Sequence, residues 1–456
     1  MNASDDSVAA FIEAASVPLD DSHASGTLER AAAILASHPE VAQADIYTAA
    51  ILGDDAAVRR FIARDPASAT AAGGPRGWDP LTYLCFSRYL RLGRARSDGF
   101  VRAARVLLDA GASATTGWWE KNHQPQPEWE SVLYGAAGIA HDADLTRLLL
   151  ERGADPNDNE TVYHAPESYD NAAMKVLVET GTLTQENLAL LLVRKHDWHD
   201  RDGVEWLLLQ GVDPNHEWRQ GFRPLHHALS RDNSLEIITL LLEHGADPTR
   251  LSGGISGVAR AAGHGRGDVL ELFRQRGVPM ELRGADRLIA ACASGDAAAV
   301  REIVAQEPAL VRQVVAYGGH LLAAFAVTGN AEGVGHLIDL GIDAGTVFME
   351  GNGYWDVAKN STALHIAAWR AHPATVTLLV ARGAAVDAVD GMGRTPLALA
   401  VRACVDSYWT SRRTPESVDT LLTAGASVRG IAYPSGYAEV DTLLAAARDM
   451  QGQRRP

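Results

Sequence analysis

The chain has 456 residues, 46% of them hydrophobic, and a formal charge of −16. That apolar share is ample for a folded core and excludes global disorder. No apolar run reaches the roughly 20 residues of a membrane-spanning helix, and the acid excess repels phosphate, so nucleic acid and membrane lipid are not expected partners.

Residues 1–26, beginning MNASDDSVAAFIEAASVPLDD, are acidic and lack the basic-then-apolar order of a secretory signal. They are expected to form a mobile acidic arm. Residues 27–41, TLERAAAILASHPEV, have the pattern of an amphipathic capping helix.

From 42 to 430 one unit recurs: a short helix rich in small residues, a turn, a Leu-rich helix and a stop at Gly-Ala. It is clearest in RPLHHALSRDNSLEIITLLLEHGADP (223–248), STALHIAAWRAHPATVTLLVARGAAVDAVD (361–390) and residues 394–428. The stopping glycines run Gly111, Gly153, Gly181, Gly211, Gly245, Gly277, Gly341, Gly383 and Gly425, and two units end instead at Asp65-Pro66 and Glu307-Pro308. About eleven units result. Neither helix of a unit is long enough to be stable alone, so each must bury its apolar face on its neighbours. Residues 431–456, which include YAEVDTLLAAARDM, are read as a second capping helix and tail. Cys85, Cys292 and Cys404 lie far apart within helical pattern, which points to reduced core thiols and a cytoplasmic setting. The preference for arginine over lysine, with abundant alanine, suggests a GC-rich bacterial genome.

The step from Thr362 to Thr395 is 33 residues. With the openings Thr362-Ala363-Leu364-His365-Ile366-Ala367, Thr395-Pro396-Leu397 and Arg223-Pro224-Leu225-His226-His227-Ala228, and endings such as GADPN at 153–157, the chain resembles an ankyrin-repeat protein. The resemblance implies an all-α solenoid of helix–turn–helix units, curved, with hairpin fingers toward a concave side. It also implies a binding scaffold whose partners are proteins, and a structural role for His226 and His365.

The irregular units carry the functional reading. Two of the long intervals place extra residues in the finger slot. One contains GWWEKNHQPQPEWES (117–131), with Trp118, Trp119 and Trp129 but no alternating apolar pattern for a strand; the other contains Phe348, Tyr354 and Trp355. Trp78 and Trp218 fall in other fingers, while Trp198, His227 and Trp369 fall at variable positions of inner helices. Taken together with Tyr163, these residues read as an aromatic-lined concave surface, with Trp118, Trp119, Trp355 and Trp369 as apolar anchors. Glu120, Glu128, Glu130 and Asp356 around them would favour a partner with basic or cationic segments, held in part by cation–π contact. The alternative is that the fingers fold back and bury their own tryptophans.

Catalytic chemistry finds little purchase. The middle of the array is compressed, and DPNDNETVYHAPES (155–168) stands where a finger and inner helix belong. Glu160, His164, Glu167 and His199 could converge there as a carboxylate–imidazole set suited to acid–base chemistry or to holding a small molecule. His196 and His199 share the i,i+3 spacing of two metal ligands but lack a third at any recognised spacing, so no metal is expected. The glycines of GHGRGDV (263–269) have no preceding strand and are not read as a phosphate loop. No nucleophile motif or cofactor fingerprint occurs, and the reading is of a monomeric binding protein without cofactor.

Overall fold

The computed structural model describes residues 3–20, 22–93, 97–218 and 221–453. Among the described residues, eleven pairs of consecutive helices can be followed, the first Ile46–Ile51 with Asp55–Arg64 and the last Pro396–Asp406 with Glu416–Thr423. Contacts divide the chain into two compact units, residues 1–224 with 243–245, and residues 225–242 with 246–456.

Each pair follows from short-range rules. Inner helices start at a side-chain cap: Asp79 accepts from the amides of Leu81 and Thr82 at 3.0 Å, and Thr395 accepts from Ala398 at 3.2 Å. Outer helices bury a single stripe, as in Ser97–Asp109, where Phe100, Ala103, Ala104, Leu107 and Leu108 are buried at helical spacing. They stop where a residue must turn left-handed. Gly245 and Gly383 do so at φ 89° and 83°, a region closed to most L side chains. Within pairs, the turn also needs one left-handed residue. Gly265, Gly295 and Gly329 supply it in some repeats, and His199, Asp232 and Ala371 supply it in others, at φ 51°, 53° and 56°.

Three fingers contain short antiparallel hairpins: Gly117–Glu120 with Glu128–Ser131, Leu251–Ser252 with Ile255–Ser256, and Val347–Phe348 with Ser361–Thr362. The first corrects the expectation that residues 117–131 hold no strand. Compression in the middle of the array also differs from its reading, because the segment 155–168 does contain an inner helix, Asn159–His164.

The described part of the acidic segment, residues 3–20 and 22–26, packs on the chain that follows, where a mobile arm was expected. Helix Ala3–Ala15 packs on Glu29–Ser37 and Ile46–Ile51, with Phe11, Ile12 and Ala15 wholly buried on one face. The chain beyond it lies across the next repeats. The Val17 amide donates to Phe86 O at 2.9 Å, Arg76 donates to Val17 O at 2.7 Å, and Arg88 and Arg91 reach Ala14 O and Gly26 O. Helix Ala438–Gln453 buries Val440, Leu444 and Ala447 at the other end of the chain. Among the described residues no single helix is long and apolar enough to cross a membrane.

Candidate functional site

In the first unit the 117–131 hairpin sets which side chains meet. Its register places Trp118 opposite Glu130, Trp119 opposite Trp129, and Glu120 opposite Glu128. Side chains alternate between faces along a strand, so Trp118, Glu120 and Glu130 share the inner face, and Trp119 with Trp129 share the outer one. Trp118 is 7% exposed and packs against Trp78, Phe86 and His23, with ring centroids 5.2, 5.8 and 5.6 Å away. Trp119 is 56% exposed and packs edge-on against the half-buried Trp129.

Beneath the inner face lies a buried polar cluster, and part of it comes from the segment before the repeats. His23 Nδ1 is 3.0 Å from the Tyr134 hydroxyl, and its Nε2 is 3.3 Å from Glu120 Oε2. Tyr134 precedes a π-helical turn, Gly135–Ile139. A Cβ on Gly138 would sit 2.6 Å from the Tyr134 ring and 2.9 Å from His164 Cβ, so glycine there permits the close approach of both. Glu130 has no exposed surface, and its carboxylate faces only that of Glu120. Burial, with the charges of Glu160, Glu120 and Asp158, pushes its carboxyl up to about 9. Burial, together with the positive charge of His164, lowers the His23 imidazole to about 4.

Three of the four proposed acid–base residues do converge beside this cluster. His164 Nε2 lies 3.2 Å from Glu160 Oε2, and its Nδ1 lies 2.9 Å from Glu167 Oε2. Arg194 bonds to the other Glu167 oxygen and stacks over Tyr163 at 4.0 Å. Burial alone would lower the His164 pKa, but hydrogen bonds to Glu160 and Glu167 outweigh it and raise the group to about 9. His164 is therefore held as an imidazolium between two carboxylates, which disqualifies it as a general base near neutrality. It also differs from His226 and His365, whose Nε2 atoms lie 3.0 Å from backbone oxygens of the following finger.

His199 does not act as foreseen. It is the exposed left-handed residue of its turn. The rest of the HDWHD segment is also absorbed by the scaffold: Asp200 accepts from Lys195 Nζ at 2.7 Å and from the Gly203 amide at 3.0 Å, and Asp197 pairs with Arg194. Trp198 is half-buried, its carbonyl accepting from the Tyr169 hydroxyl. Trp218 pairs with Phe222 across its finger.

Trp355 and Trp369 of the second unit are internal, which corrects their reading as anchors. Trp355 and Trp369 are 6% and 3% exposed, and Trp369 Nε1 donates to Trp355 O at 2.7 Å. Arg370 lies over the Trp355 and Trp409 rings at 3.9 and 4.3 Å and donates to Asp232 Oδ2 at 2.8 Å. Arg266 also reaches Asp232, at 3.5 Å. The cation for these rings thus comes from the chain itself. Trp78, Trp118 and His227 are likewise buried, and so are two of the four carboxylates expected to meet a basic partner, Glu120 and Glu130. The fingers of this unit expose Leu251 and Ile255 on one, Val347, Met349 and Tyr354 on the next that bears a hairpin, and Val389 and Met392 after the outer helix Pro373–Ala381.

The paired helices, the left-handed glycine stops and the fingers match one repeat family. The ankyrin repeat family model matches residues 220–252 and 359–391. The chain carries ankyrin repeats. Its similarity to the ankyrin repeat protein FPV031 of Fowlpox virus (strain NVSL) is 32% identity over 117 residues, 23% of this chain. The match spans 34% of that viral relative, about a third of its length. This relative is viral, and a bacterial origin rests on composition alone. The human ASB11 ankyrin repeat domain is 17% identical, with 56% of this chain and 96% of that one covered at a TM-score of 0.26. The other helix pairs of this chain lie outside the two matched spans and repeat the same helix–turn–helix order.

Proposed function

We propose that this ankyrin-repeat protein is a binding scaffold that recognises a protein through the finger tips of its second unit. Ankyrin repeats generally mediate protein–protein interaction. The observation that carries the placement is the row of exposed Leu251, Ile255, Val347, Met349, Val389 and Met392 on fingers whose aromatic residues are largely turned inward. Solitary exposed apolar residues mean little, but Leu251, Val347 and Val389 stand at the same place in three repeats, six residues after the glycines Gly245, Gly341 and Gly383, which is the mark of an interaction surface. Exposed Asp343, Glu350 and Asp387 stand among them, which favours a partner segment with apolar residues flanked by basic ones. The outward Trp119–Trp129 pair of the first unit offers an aromatic contact of its own.

The test is site-specific photo-crosslinking in lysate of the source organism. A crosslinking residue at Met349 or Met392 is expected to capture a common protein, and the same residue at Arg301 on an outer helix is not. Equal capture from all three positions would overturn the placement. A small-molecule reading draws support from the convergence of Glu160, His164 and Glu167. Their mutual ion pairing leaves them satisfied without a ligand, so the scaffold reading is preferred.

A further inference from the structure

We propose that His23, Glu120 and Glu130 form a binding site for a divalent first-row transition metal ion. The proposal concerns the first unit and is independent of the finger-tip surface. Its first support is geometry. One imidazole nitrogen of His23 and one oxygen from each glutamate all lie within 4.8 Å of one another. Two ligands about 2.1 Å from a shared tetrahedral ion stand roughly 3.4 Å apart, and His23 Nε2 stands 3.3 Å from Glu120 Oε2.

The second support is the state of these atoms. The buried Glu130 oxygens and His23 Nε2 have no partner outside the cluster: Nε2 faces Glu120 at 3.3 Å and Glu130 faces Glu120, although Glu130 has no exposure and His23 only 8%. Folded proteins satisfy nearly all buried polar atoms, so a buried imidazole and two buried carboxylates that face only one another require an explanation. Charge sharpens it. Glu120, Asp158 and Glu160 surround Glu130, while the cationic His164 is already engaged by Glu160 and Glu167. A buried carboxylate among carboxylates is stable only with a proton or a cation.

The third support is the framework. Tyr134 engages Nδ1 of His23, which fixes the ring and leaves Nε2 directed at Glu120, the arrangement in which a ligating histidine is held by an outer hydrogen bond. The Trp118 ring sets the other side of the imidazole, and the hairpin register fixes both glutamates. An imidazole ligand selects transition metals over calcium or magnesium, which take oxygen alone. Metal binding here releases whatever proton the glutamates hold, and no redox change is involved.

The test uses the full chain, stripped with chelator and titrated with Co²⁺, whose visible d–d absorption reports coordination by nitrogen and oxygen. One saturable equivalent is expected, displaced by Zn²⁺. His23→Ala, Glu120→Gln and Glu130→Gln should each weaken binding by at least about 100-fold, and Tyr134→Phe by about 10-fold. His38→Ala, which alters an exposed His–Glu pair elsewhere, should leave it unchanged. Circular dichroism confirms that each variant is folded. The two glutamine variants are near-isosteric, so either one in folded form suffices. Cobalt uptake that survives a folded Glu120→Gln or Glu130→Gln variant would overturn the site. So would no uptake by the wild type together with an infrared protonated-carboxyl band that Glu130→Gln removes, which would assign the pair to a shared proton.

Discussion

The pH response of His164 can be worked through from the structure. Its folded-state pKa is about 9 against an ordinary 6.5, because Glu160 and Glu167 flank the ring at 3.2 and 2.9 Å. A raised imidazole means that the native state binds the proton more tightly than the unfolded chain does. The stabilisation is then complete below pH 6.5 and is lost as the pH rises through about 9. At about 1.4 kcal/mol per pH unit, the gap corresponds to about 3 kcal/mol. The two carboxylates set the opposite limb. Burial raises both, but the hydrogen bond and charge of His164 hold them below the ordinary carboxylate range, so their contribution disappears as the pH falls toward acid. The assay is histidine ring NMR across pH 5 to 10.5, with the resonance assigned from its loss in His164→Gln. A midpoint near 9 is expected. Denaturation of the two proteins should show the wild-type advantage falling by about 3 kcal/mol between pH 6 and pH 10. A midpoint at or below 6.5 would refute the argument, since it would mean the flanking carboxylates do not act on the ring.

Other expectations concern packing and paired charge. Truncation of the buried tryptophans in Trp118→Ala and Trp355→Ala should each cost about 3–5 kcal/mol in urea denaturation, whereas Trp119→Ala, at 56% exposure, should cost under about 1 kcal/mol. Asp232→Ala removes the carboxylate that both Arg266 and Arg370 approach, and should destabilise the second unit by about 3–5 kcal/mol, read from the fluorescence of Trp355 and Trp409 beside Arg370. Cys85, Cys292 and Cys404 are all buried, and burial raises each thiol pKa, so a thiol reagent should label none of them until the chain is unfolded.

The repeat was legible because its signals are local. A cap at the start of an inner helix, a Leu-rich stripe three to four residues apart and a left-handed glycine are each written within one turn of the chain, and they recur. The polar cluster is legible in neither way. His23 lies in a stretch whose acidic flanks hid the helical face made by Phe11, Ile12 and Ala15, and nothing local ties it to Glu120 nearly a hundred residues on. The 117–131 finger misled for a different reason. Alternation was present, but its buried face carries Trp118, Glu120 and Glu130 while an exposed tryptophan points outward, so polarity and burial run against the usual correspondence. Trp355 and Trp369 fall at finger and inner-helix positions, but the sequence does not reveal that Arg370 lies over Trp355 and Arg402 over Trp369.

The hold of residues 13–26 on the early repeats bears on how the protein can be cut. The repeat pattern starts at residue 42, and a truncation chosen by that pattern would look conservative. It would strip Val17 from the Phe86 backbone, free the guanidinium groups of Arg76, Arg88 and Arg91 from their carbonyls, and remove His23 from the edge of Trp118. The shortened chain would keep every recognisable repeat and yet face water with an aromatic floor of Trp78, Phe86 and Trp118 that the longer one covers. Its behaviour in solution would then report on the cut rather than on the protein.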